Sequence, residues 1–323
     1  MALALFGCSP STPAPAPEEE GAEEVVRSVI KVGALTGPTM FGLASMMEES
    51  ALGTTANEYI LEKLAGTPDE LTAGLANGTI DIAAIPANLA SVLYNGNGAD
   101  IRLLATVNLG VLNIVETGEE IQSIEDLRGK TLYATGKGTT PEMVLNYILL
   151  QNGLDPAQDL TIEYKTESAE VASLLASEGG IAMLPQPFVT VAMQNNDQIR
   201  IALDLTDEWA AVSEDGSGIV TGVIVGRTEF VDANPDAVAT FLNEYKASSA
   251  FVTSDAQAAA AFISAYGFVS QEVAEAAIPH LNLHFSEGEE MKTLVSGYLS
   301  VLFGMDERSV GGALPDDAFY YAR

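Results

Sequence analysis

Residues 78–94, GTIDIAAIPANLASVLY, run from an apolar strand through a proline into a helix, and residues 181–195, IAMLPQPFVTVAMQN, do the same. In each, the strand is a short continuous run of apolar residues, the pattern of a strand buried on both faces of a parallel sheet. Pro86 and Pro185 break the ladder, and a helix restarts behind them. A second pair of segments echoes in the same way. Residues 30–49 and 130–152 each read strand, loop rich in Gly, Pro and Thr, then helix. Strands alternating with helices predict an α/β fold with a largely parallel sheet. The paired echoes predict one α/β lobe carried twice, with weak internal symmetry.

The remaining segments fit between these. Residues 25–35 form a strand ending at Thr36-Gly37-Pro38-Thr39, and residues 40–47 have helical spacing. A second strand is expected over 54–64, followed by a helix whose start, Thr67-Pro68-Asp69-Glu70, has the form of a capping box with Pro at the first helical position. Residues 109–115 read as a strand, and Ser123-Ile124-Glu125-Asp126 caps a short helix. Later come a strand at 160–164, a helix at 169–177 and a β-branched strand at 219–225 that leads back to the first lobe. Four helical segments close the chain, opened by Asn234-Pro235, Ser254-Asp255, Ser270 and Glu287. They are expected to pack on the first lobe and finish it.

The chain has 323 residues, enough for two domains, and 47% of them are hydrophobic, enough for real cores. With 14 Lys+Arg against 45 Asp+Glu, its net charge is −31. Such a field repels phosphate backbones, which argues against a nucleic-acid partner and against a polybasic membrane surface. The one cysteine, Cys8, excludes an intrachain disulfide and any multi-cysteine metal site. Leu5-Phe6-Gly7-Cys8 fits a lipobox, in which a small residue precedes an acylated cysteine. A basic n-region and most of an apolar h-region are missing ahead of it, so residues 1–8 read as the truncated end of a lipoprotein signal. An incidental thiol near a frayed terminus is the alternative. Residues 9–24, SPSTPAPAPEEEGAEE, hold four prolines and five glutamates and no large apolar side chain, the composition of a disordered tether. Only five of the 45 acidic residues lie there, so the folded part is itself acidic.

KVGALTGPTMFG at 31–42, GTIDIAAIPANLASVLY at 78–94, IEDLRGKTLYAT at 124–135, the segment 138–150, MLPQPFVTV at 183–191 and FVDANPDAVATFLNEY at 230–245 stand in an order and spacing that cover almost all of residues 30–305. In that order they resemble the periplasmic-type solute-binding proteins of the nitrate/sulfonate/taurine group of ABC importers, a wider family that includes binders of thiamine pyrimidine precursors. The resemblance implies a two-lobed periplasmic-binding-protein-like fold with two hinge strands and a helical C-terminal segment. Lobe one would be residues 29–110 plus 222–323 and lobe two residues 111–221, with hinges near 107–114 and 219–225. It also implies a protein that works outside the cytoplasm as a monomer, lipid-anchored to the cell membrane through Cys8. There it would capture a small molecule, sulfonate-, carboxylate- or pyrimidine-like, for an ABC permease and its ATPase, with no catalysis, cofactor or metal.

The candidate ligand-binding residues lie where strands give way to helices, because open α/β sheets bind ligands outside the carboxyl ends of their strands. In lobe one they are Gly37, Pro38 and Thr39, then Pro86, Ala87 and Asn88. In lobe two they are Gly138, Thr139 and Thr140, then Gln186 and Phe188. Glycine lets backbone approach closely, helix N-termini offer unpaired N–H groups, Asn and Gln both donate and accept, and Phe188 offers a flat face. Each has an ordinary structural alternative: Thr39 or Thr139 as a cap, Thr139 with Glu142 as a capping box, Phe188 as core. Trp209 and Tyr133 are weaker candidates for the same wall, Trp209 lying in an irregular acidic stretch that suits a lid or a surface anchor. Cations near these loops are few, namely Lys137 and Arg128. His280 and His284 stand four residues apart, but Pro279 favours extended chain over a zinc-binding helix.

Two other functions remain open. One is an enzyme on the same fold, chorismate-dehydratase-like or like the self-sacrificing pyrimidine synthase, although the histidine and cysteine clusters of the latter are absent. Asp81, Glu48 and Asp204 are acid–base candidates without a motif. The other is a ligand-sensing ectodomain.

Overall fold

The computed structural model describes residues 27–65, 67–96, 99–213 and 216–323; Cys8 and the 9–24 tether lie outside the described residues. The first half of the chain gives β1 (Val29–Leu35), α1 (Pro38–Phe41), α2 (Ala44–Ala51), β2 (Glu58–Ala65), α3 (Pro68–Asn77), β3 (Ile82–Pro86), α4 (Ala87–Asn95) and β4 (Ile101–Leu109). The middle gives β5 (Leu112–Thr117), β6 (Thr131–Ala134), α5 (Thr140–Gln151), β7 (Thr161–Tyr164), α6 (Ser168–Glu178), β8 (Ile181–Pro185), α7 (Phe188–Asn195), β9 (Ile199–Asp204) and α8 (Leu205–Val212). The chain then returns through β10 (Val220–Arg227) and ends in α9 (Thr228–Ala233), α10 (Pro235–Ser254), α11 (Ala256–Ala265), α12 (Gln271–Ala277) and α13 (Gly288–Met305).

Two five-stranded sheets result, ordered β2-β1-β3-β10-β4 and β7-β6-β8-β5-β9. Each has three parallel strands, then one strand of opposite direction, then an edge strand that runs with the first three. The fourth strand of each, β10 or β5, runs antiparallel to its central neighbour β3 or β8. Two similarly built α/β lobes thus each hold one strand supplied by a crossing of the chain.

The strands that fix this reading are apolar throughout because both faces are covered. On β3, Ile82 and Ala84 join the core of Phe241 and Leu242 from α10, while Ala83 and Ile85 join that of Leu71 and Leu93. On β8, Ile181 and Met183 face one core and Ala182 and Leu184 another. Successive side chains on a strand point to opposite faces, so a strand between two cores has no polar position to show.

The structure corrects several expectations. The strand expected over 109–115 is the junction of β4 and β5, broken at Gly110, where a Cβ would overlap Thr206 Oγ1. The helix expected over 40–47 is two helices, α1 and α2, separated at Gly42-Leu43. The irregular stretch before the second crossing holds helix α8, and Trp209 within it is wholly buried, neither lid nor surface anchor. Its ring lies against Tyr147 of α5 (centroids 4.3 Å apart) and Tyr298 of α13 (5.7 Å). The C-terminal helices therefore do more than finish lobe one: α13 also packs on α5 of lobe two. Among the described residues no helix is long and apolar enough to cross a membrane.

Candidate functional site

In both lobes the parallel strands end at the same side, and four helices start there: α1 after β1, α4 after β3, α5 after β6 and α7 after β8. Between these junctions lies a cavity of about 470 Å³. Lobe one lines it with Thr36, Gly37, Pro38, Pro86 and Asn88, and lobe two with Thr139, Thr140, Gln186 and Phe188. Gly37 turns the chain with φ 132°, a region that favours glycine, and so brings backbone to the cavity edge. Eight of the eleven residues expected from the sequence are brought together here.

Three are not. Thr39 is 5% exposed, and its hydroxyl donates to the Leu35 carbonyl (3.1 Å). It is seated beneath the loop, where a Cβ on Gly222 would overlap its Cγ2, so its hydroxyl is not offered to the cleft. Ala87 is buried under the first turn of α4. Gly138 lies on the rim beside Arg308 and Ser309 of lobe one, outside the cavity. The expected Thr139–Glu142 capping box is a different brace: Glu142 Oε2 accepts from the Gly138 N–H (2.6 Å), and the Thr139 hydroxyl donates to the Gly136 carbonyl (2.6 Å). Tyr133 and Trp209 are absent from the lining; Tyr133 instead lies under the Lys165 ammonium (5.4 Å).

Other lining residues escaped the sequence reading. Thr135 and Ser168 share a hydrogen bond (3.2 Å) on the lobe-two side, and Thr221 comes from β10. Phe268 and Tyr298 reach in from the C-terminal helical region. Ser168 follows β7 at the head of α6, a position equivalent to the loops already singled out, so its signal was legible. Phe268 and Tyr298 carried none, because only packing brings distant segments to the cavity.

The chemistry of the wall is plain. Among the described residues no Asp, Glu, Lys, Arg or His lines the cavity. The two nearby cations are engaged outside it: Lys137 lies over the Tyr164 ring (5.8 Å), and Arg128 pairs with Glu125 (2.8 Å) and Asp159 (2.5 Å). Burial pushes the Tyr298 phenol above its ordinary pKa, so it stays neutral. Among the described residues the Thr140 and Thr221 hydroxyls have no hydrogen-bond partner, whereas Thr36 donates to the Ala65 carbonyl (3.2 Å). Gln186 Oε1 accepts from the Thr190 hydroxyl (2.8 Å). Such a wall can hold a molecule through hydroxyls, amides and apolar contact, and offers no general base or nucleophile–base pair.

The acid–base candidates serve the scaffold. Asp81 pairs with Arg227 (3.1 Å) and accepts from the Lys31 N–H (3.0 Å), Asp204 caps α8 through the Thr206 N–H (2.8 Å), and Glu48 is exposed on α2. His284 Nε2 meets Glu290 Oε1 (3.0 Å), and His280 ends a single 3₁₀ turn. Among the described residues no group of three or more His, Cys, Asp or Glu is placed to hold a metal ion.

Comparison with known proteins places this geometry. In fold the chain is similar to an ABC transporter protein from Parabacteroides distasonis (TM-score 0.75, 24% identity, covering 92% of this chain and 99% of that one). It is similar also to the periplasmic aliphatic sulphonate binding protein SsuA of Escherichia coli (TM-score 0.69, 16% identity, 92% and 93%). A third is the periplasmic nitrate-binding protein NrtA of Synechocystis PCC 6803 (TM-score 0.54, 17% identity, 82% and 74%). No curated protein matches the sequence. The sequence profile of the NMT1/THI5 like family matches residues 61–259, more than half of the chain and both lobes, and the protein belongs to that family.

Proposed function

We propose that this protein is the extracytoplasmic solute-binding component of an ABC importer. It captures a small organic molecule between lobe one (29–110 plus 222–323) and lobe two (111–221), then delivers it unchanged to a permease driven by an ATPase. The observation that carries this reading is the cavity of about 470 Å³ between the lobes, walled by strand-to-helix loops of both and free of acidic, basic and histidine side chains among the described residues. That volume suits a small ligand largely buried on binding. An enzyme on this fold would need a proton-transfer group at the cavity, and the candidates are committed elsewhere. Two of the relatives in fold are named for binding an aliphatic sulphonate and nitrate. Within the sulfonate-, carboxylate- and pyrimidine-like classes the choice turns on which molecule those neutral groups can satisfy.

The membrane attachment belongs to the same proposal. Acylation at Cys8 and the proline- and glutamate-rich tether of residues 9–24 would hold the monomer at the cell membrane near the permease. Changing Cys8→Ser is then expected to release the protein into the medium with its fold intact. The function is tested by extraction: protein exposed to a cell's small-molecule pool is washed and denatured, and what it releases is identified by mass spectrometry. One compound, chemically unchanged and close to stoichiometric, is expected. A converted product would favour an enzyme, and recovery of nothing would remove solute capture.

A further inference from the structure

Among the described residues three hydroxyls on the cavity wall have no hydrogen-bond partner, and they come from three parts of the chain. Thr140 opens α5 in lobe two, Thr221 lies on the crossing strand β10, and Tyr298 reaches in from α13. Tyr298 is the most deeply placed. Burial alone raises its pKa, with no neighbouring hydrogen bond or charge acting on it. Tyr245 is 0% exposed with its phenol oxygen sealed off, whereas Tyr298 keeps 2% of its surface and stands on the cavity wall. Its ring packs on Trp209 (centroids 5.7 Å apart), which fixes where the hydroxyl stands. A buried hydroxyl left unpaired is costly, so a wall that gathers such groups has a use for them.

Charge restricts what they hold. All 14 Lys and Arg and both His are among the described residues, and none of them lines the cavity; nor does any described Asp or Glu. Arg308, at the rim, is exposed and paired with Asp306 (2.9 Å). Burying an ion without a partner of opposite charge is unfavourable, and a net charge of −31 repels an anion on its approach. Of the helix starts at the cavity, those of α1 and α5 hold Pro38 and Pro141 in their first turn, and proline has no N–H to offer an anion. The rest of the wall is largely apolar, with Val111, Leu112, Val144, Ile219, Phe188 and Phe268. A hydroxyl both donates and accepts, so these groups can satisfy a neutral polar group of either kind but cannot neutralise a full charge.

We infer that the cavity selects an uncharged, largely apolar molecule whose polar group is held by the Tyr298 hydroxyl together with those of Thr140 and Thr221. This rests on the solute-binding reading above. Calorimetric titration of the full chain with four naphthalenes of one shape tests it. 2-Naphthamide is neutral and polar, 2-naphthoate is an anion, 2-naphthamidine is a cation, and 2-isopropenylnaphthalene has no polar group. The amide is expected to bind at least about tenfold more tightly than either ion. Tyr298→Phe keeps the ring on Trp209 and removes only the hydroxyl, so the ratio of amide to hydrocarbon affinity should fall about threefold or more. The ratio is the readout because partial unfolding lowers both affinities together. Either ion binding as tightly as the amide, an unchanged ratio in Tyr298→Phe, or no binding of any probe overturns the inference. Tight naphthoate binding would do so while leaving solute capture standing, whereas failure of the extraction experiment removes solute capture itself.

Discussion

Thr39 and Thr140 stand at corresponding strand-to-helix loops of the two lobes and have opposite fates. In lobe one, Thr39 is turned down: its hydroxyl goes to the Leu35 carbonyl and its methyl lies where Gly222 leaves room for it. In lobe two, Thr140 opens α5 with its side chain on the cavity wall. A Gly, Thr and Pro loop therefore marks the place of a site but not which hydroxyl serves it. That is decided by what packs behind the loop, and the crossing strand β10 runs behind only the first.

The lobes differ also in how they hold buried charge. Lobe one pairs Asp81 with Arg227, their side chains 11% and 19% exposed, and lobe two pairs Glu116 with Arg200, at 2% and 33%. Glu116 also accepts from the Ile121 N–H (3.1 Å) and the Glu120 N–H (3.2 Å). Its carboxylate is the more deeply placed, while its arginine is the more open to water.

The largest effect is expected where the lobes are joined. Trp209 is wholly buried between Tyr147 and Tyr298, so Trp209→Ala should cost about 3–5 kcal/mol of stability, read by circular dichroism during urea unfolding. A loss under about 1 kcal/mol would mean that the seam is not closed in solution.

Next comes the contrast in buried charge. Arg200→Met leaves Glu116 buried without its partner and should cost about 3 kcal/mol. Arg227→Met leaves the less deeply buried Asp81 and should cost less by the same assay. The reverse order would show that the two pairs are not ranked by the depth of the carboxylate.

The threonines give the smallest and most pointed pair. Thr140→Val should weaken binding of the recovered ligand several-fold, the worth of about 0.5–1.5 kcal/mol for one hydrogen bond, and leave stability nearly unchanged. Thr39→Val should cost about 1 kcal/mol of stability and leave affinity unchanged. Titration and melting of both variants together check the contrast, and an affinity loss in Thr39→Val alone would invert it.

How much of this was legible in the sequence follows from the same physics. The strands at 82–86 and 181–185 were visible because cores on both faces demand unbroken apolar runs. The loops were visible because Pro and Gly punctuate the chain wherever a strand gives way to a helix. Helix α8 was not: LTDEWAAV is acidic at its start, and the side chain that anchors it, Trp209, is buried by partners from residues 147 and 298. Nor was the direction of a hydroxyl: Thr39 follows its proline as the second residue of α1 and turns back to the Leu35 carbonyl, whereas Thr140 precedes its proline as the first residue of α5.

The central claim is that both lobes grip one molecule in a shared cavity, and small-angle scattering tests it most directly. The radius of gyration of the full chain is measured without ligand and with a saturating amount of the compound recovered by extraction. A smaller radius with ligand is expected, as the lobes close on it. Equal radii at saturation, with binding confirmed in the same samples, would contradict a site shared between the lobes.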